Sequence, residues 1–289
     1  MKVGGGQMFG FLRNLFQRKP LSEAAATTLV LDTMRARAKP TLMLDGVEGD
    51  VVFRLGGLPR LPSPNIWPLR NGRPLAFIGA LDLHAMRAAG GPDYLPAEGH
   101  IHVFYDVEGQ PWGFDPADRD GFALVFTRSI GEDEVARPRD LSETNVFAST
   151  SLKARAAVSY PTPQRLDLPE HVGVTYGDDA AFDLQRSNFG DGPEHRIGGY
   201  PTPIQNDSME LEAELASSGV YLGDPAGYSA AGPGTEALAR SEWFLLLQID
   251  SDDDAGIMWG DSGMLYIWVR ERDARRGNFD NAWFILQCC

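Results

Sequence analysis

The chain has 289 residues, 43% of them hydrophobic and 23% charged, a globular composition that excludes a disordered or fibrous polymer. A chain of this length buries about three quarters of its unfolded surface, enough for a core that needs neither disulfides nor a structural metal. With 26 Lys and Arg against 40 Asp and Glu the net charge is −14. A field of that sign repels phosphate backbones and disfavours nucleic-acid binding.

The first twenty residues differ from the rest. They hold Lys2, Arg13, Arg18 and Lys19 and no acid, leaving 22 basic against 40 acidic residues, a net −18, beyond them. Met8, Phe9, Phe11, Leu12, Leu15 and Phe16 recur at helical spacing, with Arg13 and Arg18 off that stripe. The pattern suits a short interfacial helix, so residues 8–19 are a candidate peripheral membrane contact. Docking of the same stripe on the protein's own surface is the alternative. Arg13 interrupts the apolar centre that a signal peptide requires. No apolar run approaches the roughly 18–20 residues that span a bilayer, so no transmembrane segment is expected. The two cysteines, Cys288 and Cys289, are adjacent, which argues against a disulfide framework and for a reducing, cytoplasmic setting.

Further along, Ser22 can cap a helix from Glu23 to about Ala38, ended by Pro40. Short β-rich runs follow at Thr41–Leu44, Val51–Leu55, Leu75–Leu81, Ile101–Tyr105 and Phe122–Thr127. Turn pairs separate them, notably Asp45-Gly46, Asn71-Gly72 and Glu108-Gly109. A weaker helix fits Ser208–Ala216, with Asp207 or Ser208 as its cap, and the last strands are Trp243–Ile249, Met264–Val269 and Trp283–Gln287. The fold class that follows is α+β, a predominantly antiparallel β-sheet with few helices.

The β-rich segments repeat in order. Gly56-Gly57-Leu58-Pro59 is echoed by Gly198-Gly199-Tyr200-Pro201, and Phe77–Asp82 by Leu245–Asp250. Gly99 with Ile101, Val103 and Phe104 is echoed by Gly263 with Leu265, Ile267 and Trp268, and Phe122–Thr127 by Trp283–Gln287. Four ordered matches predict two similar β-rich halves, at about 40–128 and 196–289, joined by a loop-rich connection over 129–195. The basic segment 1–20 therefore precedes a single domain, 21–289.

These same motifs resemble the YwqG-like family of bacterial proteins. In the first half they are Gly-Gly-Leu-Pro, Leu61-Pro62, Trp67-Pro68, Pro74–Ile78, Leu95-Pro96 and Gly99. In the second they are Ile197–Pro201, Ile204-Gln205, Leu246–Asp250 and Trp259-Gly260-Asp261-Ser262-Gly263. Ala80 stands where the family usually has Gln, as Gln248 does in the second half. The resemblance implies a mixed, β-rich fold without an established activity. Some relatives are suspected of neutralising toxins of competing bacteria.

Several constellations carry chemical meaning. Gly260-Asp261-Ser262-Gly263 matches the nucleophile peptide of trypsin-like proteases, but the histidines lack the matching setting, so a tight turn with an unusual φ at Gly263 is expected. Counting Asp250 as position 1, acids fall at 1, 3, 5 and 12, as in a calcium loop, which makes Asp250, Asp252, Asp254 and Asp261 candidate calcium or magnesium ligands. Ala255 at the turn position, Asp at position 12 and flanking strands depart from that pattern. The same loop also reads as a solvated acidic hairpin tip. His100 and His102 lie on one face of a strand, an exposed sheet face or, with Asp82 or His84, a metal site. Gln205, Asp207, Gln248, Trp259 and Asp261 are candidate binding residues if the second-half motifs meet at one end of the sheet, with Trp67 and Trp259 expected at a surface rim. No catalytic residue is assigned. The expected function is a non-enzymatic protein whose acidic surface binds a basic protein partner, with a divalent-cation module or cation-dependent enzyme as the alternative.

Overall fold

The computed structural model describes residues 21–166, 168, 179–190 and 192–289. The candidate membrane contact at 8–19 lies outside the described residues, as does His171. In chain order the helices and strands are α1 (Glu23–Ala36), β1 (Lys39–Leu55), β2 (Leu69–Arg70), β3 (Arg73–Pro74), β4 (Ala76–Asp82), α2 (Leu83–Ala88), β5 (His100–Tyr105), β6 (Phe122–Thr127), β7 (Thr150–Ser159), α3 (Asp179–Arg186), β8 (Arg196–Ile197), α4 (Met209–Ser217), α5 (Thr235–Glu242), β9 (Trp243–Asp250), β10 (Met264–Arg270), α6 (Glu271–Ala274) and β11 (Trp283–Gln287).

Ser22 caps α1 as expected, accepting a hydrogen bond from the Ala25 amide, and Val30 and Met34 pack with Leu166 and Ala181 in a small satellite core. The next expectation fails. Asp45-Gly46 is not a hairpin turn but lies within β1, which continues through it with register shifts near Gly46 and Val51. Glycine is required there by proximity, since a Cβ at residue 46 would lie 2.6 Å from the Ala154 carbonyl oxygen. The partner along this stretch is β7, inside the segment expected to be loop-rich; its Lys153, Arg155 and alanines give a strand with little apolar alternation. At Asn71-Gly72 the expected turn does form, with φ of 50° and 80°, the mirror-image turn that joins β2 to β3.

Among the described residues nine strands form one sheet in the order β11-β10-β9-β8-β1-β4-β5-β6, with β7 also paired to β1. Every pairing is antiparallel. β7 follows β1 from Lys39 to Leu55, while β8 takes Leu42 and Met43 and β4 takes Phe53 to Leu55. A strand has two edges, so β8 and β4 share the one that β7 leaves free. Two half-sheets therefore hang from β1, one running outward to β6 and the other to β11.

Their outermost strands meet through side chains. Phe122 of β6 stacks on Phe284 of β11 with ring centroids 4.7 Å apart and meets Trp283 edge-on at 5.2 Å. Beside them the Leu286 amide donates to the Trp112 carbonyl at 3.2 Å, and the Trp283 indole to that of Gly113 at 2.8 Å. One continuous hydrophobic core spans both halves. Between the strands, α4 is nearly all buried. Its carboxylates are matched to separate donors: Glu210 to Arg165, Glu212 to the Tyr228 hydroxyl, and Glu214 to Trp243 and Arg270. Neither expected cap serves this helix. Ser208 makes no capping bond, and Asp207 is bound to Arg165.

His102 corrects a further expectation. The face it shares with His100 is not an exposed one: His102 is 0% exposed, beside the Phe77 ring and with its Nε2 3.1 Å from Thr127 Oγ1. Burial, then His100 and Arg54, push its pKa down to about 4. The folded state thus binds fewer protons than an unfolded chain, whose histidine titrates near about 6.5. Stability from this group is complete above that value and is lost as pH falls toward about 4. Urea unfolding across this window is expected to show the decline, and His102→Phe to flatten it.

Candidate functional site

The second-half motifs converge on one backbone segment, Gly198–Asp207, held by side chains from β9, β10 and β11. Gln248, 0% exposed, accepts from the Thr202 amide at 2.9 Å and donates to the Glu194 carbonyl at 3.0 Å. Tyr266, its neighbour across β10, donates its hydroxyl to the Thr202 carbonyl at 2.6 Å. Gln287 accepts from the Ile204 and Gln205 amides at 3.0 and 3.1 Å and donates to the Asn206 carbonyl at 2.9 Å. Gln205 itself is exposed, its side-chain amide donating to the Cys288 carbonyl at 2.9 Å. The buried glutamines thus supply the partners that a strand would otherwise give to this irregular backbone.

Asp207 ends the segment in a buried ion cluster. The Arg165 guanidinium donates through Nε to Asp207 at 2.7 Å and through Nη1 and Nη2 to Glu210 at 2.6 and 2.9 Å, with a further bond from Nη2 to Asp207. The three side chains are 5–7% exposed. Burial opposes the Arg165 charge, but Glu210 and Asp207 outweigh it and hold the pKa above its ordinary value. On the other side of the segment Arg196, pushed down to about 10 by burial, donates to the Tyr200 carbonyl at 2.9 Å and lies over the Phe189 ring. Glu194 pairs with Arg186 at 2.5 Å, and burial pushes its carboxyl up.

The Asp250–Asp261 loop is divided between interior and surface. The Asp250 amide donates to His195 Nδ1 at 3.0 Å, so the ring proton sits on Nε2, 3.1 Å from Asp252 Oδ2. Both ring nitrogens are engaged, which leaves His195 no lone pair to act as a general base. The bond from His195 holds the Asp252 carboxyl below its ordinary pKa against the effect of burial. Asp250 accepts from the Glu194 amide at 2.8 Å. Asp253, Asp254 and Asp261 are exposed. Among the described residues no three His, Cys, Asp or Glu side chains are grouped to hold a metal ion.

Two expectations here are corrected. Trp259 is not at a rim but 1% exposed, its indole donating to the Asp250 carbonyl at 3.2 Å and its ring edge-on to Tyr105; Trp67 is likewise buried, donating to the Leu75 carbonyl. The unusual φ values of the Gly-Asp-Ser-Gly turn belong to Gly260 (53°) and Ser262 (51°), not Gly263. Gly263 is required by proximity instead, since a Cβ would lie 2.4 Å from the Gln287 carbonyl oxygen.

Gln205 and Asp207 belong to this segment and Gln248 binds it, whereas Asp250 and Asp252 hold Glu194 and His195, just before it in the chain, and Asp254 and Asp261 are exposed on the loop. Sequence reasoning missed Gln287, Tyr266, His195 and Arg165. Gln287 had a legible signal, a polar side chain closing an apolar strand as Gln248 nearly does in β9; Arg165 lies in an irregular stretch with none.

The fold and this polar cluster define a class: a sheet-dominated α+β protein whose buried amides, histidine and carboxylates fasten chain segments together. The chain belongs to the DUF1963 family, a domain of unknown function, whose sequence model matches residues 53–288. No curated protein matches the chain.

Removing Arg165 would strand two buried carboxylates. Arg165→Met is expected to cost about 3–5 kcal/mol in urea unfolding, and a further Glu210→Gln to restore part of it. For calcium or magnesium to bind Asp250, Asp252, Asp254 and Asp261 together, Asp252 must leave His195. Thermal melting with and without millimolar metal is expected to give the same midpoint, and an increase abolished by Asp250→Asn would establish the cation site.

Proposed function

We propose that this chain is a non-catalytic binding protein of the bacterial cytoplasm, YwqG-like in kind, that captures a basic protein through its acidic surface. The observation that carries this reading is the tip of the β9–β10 hairpin. Asp253, Asp254 and Asp261 are exposed there and none forms an ion pair with a described residue. The same tip carries Met258, 47% exposed, and is braced by Gln110, which donates to the Met258 carbonyl at 3.3 Å and accepts from the Gly260 amide at 2.8 Å. A braced tip that offers an apolar side chain and unpaired carboxylates suits a basic surface, and the net charge of −14 would steer it in. The suspected toxin-neutralising members of the YwqG-like family point the same way. A calcium or magnesium role for the loop would use exposed Asp254 and Asp261 together with Asp250 and Asp252, which are engaged by Glu194 and His195, and is decided by the melting experiment above.

We also infer that the two half-sheets are copies of one unit. In support, β4 bulges at Ile78 and β9 at Leu246, positions equivalent in the sequence repeat. Each bulged carbonyl accepts from the first glycine of its Gly-Gly pair, Gly56 at 2.8 Å and Gly198 at 3.3 Å. Where the second half has Gln248 and Tyr266, the first has Ala80 and His102, so the polar grip belongs to one half alone.

Affinity purification of the tagged protein from its own organism, at low and moderate salt, tests the binding reading. A stoichiometric basic protein is expected, released as salt rises and lost with Asp253→Lys/Asp254→Lys/Asp261→Lys. Capture indifferent to salt and to these substitutions would refute it.

A further inference from the structure

Where the start of β1, β8 and β9 meet, the surface opens into a cavity of about 380 Å³, within the range of roughly 300–1,000 Å³ usual for small-molecule sites. Leu42, Ile197, Trp243 and Leu245 give it apolar walls. Trp268 also lines it, 1% exposed, from the point where the bulge at Leu246 shifts the register between β9 and β10. Its indole N–H is buried and has no hydrogen-bond partner among the described residues. Such orphaned donors are rare, because burial removes their water without a replacement.

A cation lines the same cavity. Lys39 is exposed and its ammonium lies 4.3 Å from the centre of the Tyr200 ring. It forms no ion pair with a described residue, although Glu210 also lines the cavity. Glu210 is held by Arg165, and Asp93, at the same cavity, lies 3.6 Å from Arg275. The carboxylates there are already matched to cations, while Lys39 lacks a counter-ion. Partial burial and the nearby Arg165 push its pKa down, with Glu210 acting in the opposite sense.

We propose that this cavity binds a small monocarboxylate with an apolar or aromatic body, its oxygens accepting from the Lys39 ammonium and the Trp268 indole. An amine would be repelled by Lys39. A dianionic phosphate would bring a second charge against Glu210 and apolar walls with nothing to balance it. A neutral apolar molecule would fill the space but leave Lys39 unpaired. The site is separate from the acidic hairpin tip and does not depend on the binding reading given there.

The full chain is titrated by calorimetry with benzoate, phenylacetate, hexanoate and octanoate, and with phenylacetamide and phenethylamine as neutral and cationic counterparts. At least one carboxylate is expected to saturate the protein at one site, with phenylacetate at least about tenfold tighter than its amide or amine, a difference one ion pair readily supplies. Lys39→Met removes the charge of an exposed side chain, so the melting temperature is expected to hold while the preference for carboxylate over amide disappears. Trp268→Phe keeps an aromatic side chain at the wall but replaces the indole by a smaller phenyl ring without the N–H, and is expected to weaken binding severalfold. The proposal is overturned if no carboxylate saturates the folded protein at millimolar concentration, if amide or amine binds as well as acid, or if neither substitution changes the affinity.

Discussion

The hydrogen-bonding of β1 to three partners is the constraint on which the rest of the molecule depends. With β7 along one edge, the other is divided between β8 and β4, and each begins a half-sheet of its own. Their remote edges are free to approach, and the stacking of Phe122 on Phe284 buries both inner faces in one core. Apolar burial supplies the driving force for that closure, but β1 fixes which faces meet. Its irregular register near Gly46 and Val51 bends the path where one half-sheet gives way to the other, the usual structural role of a bulge.

A fold closed in this way leaves backbone polar groups beneath its surface, and much of the conspicuous polar chemistry answers that need. The segment Gly198–Asp207 is neither helix nor strand, yet it lies against three strands, so Gln248, Tyr266 and Gln287 provide its missing hydrogen bonds. His195 does the same for the Asp250 amide and donates a hydrogen bond from Nε2 to Asp252. An amide and an imidazole whose groups are all engaged hold a structure in place and have little left for reacting with a substrate.

Two other features, of different character, stand apart from this polar cluster. The β9–β10 tip presents carboxylates to solvent, where they act through long-range attraction. The cavity at the β1–β8–β9 seam is lined by Lys39 and Trp268 among apolar walls, and there we propose that direct contact governs recognition. Both features border β9, whose bulge at Leu246 adjusts the strand at one end while its hairpin carries the acidic tip at the other.

The sequence by itself determined the strands built on apolar runs, the α+β class, the capped first helix, the acidic field and the ordered echo of Gly-Gly motifs and strands. These follow from local chemistry: β-branched and aromatic runs, turn pairs such as Asn71-Gly72, and composition. It also marked Gln248 and Asp207 as residues of one neighbourhood. Only the tertiary structure decided that Asp45-Gly46 lies within a strand, that the polar run 150–159 is that strand's partner, and that Trp259 and His102 are buried. The same holds for Arg165, which meets Asp207 and Glu210 across more than forty residues of sequence, and for Trp268, which lines a cavity and whose buried N–H has no partner among the described residues. Burial and pairing over such separations depend on which surfaces the closed sheet brings together, and no local pattern of residues encodes that.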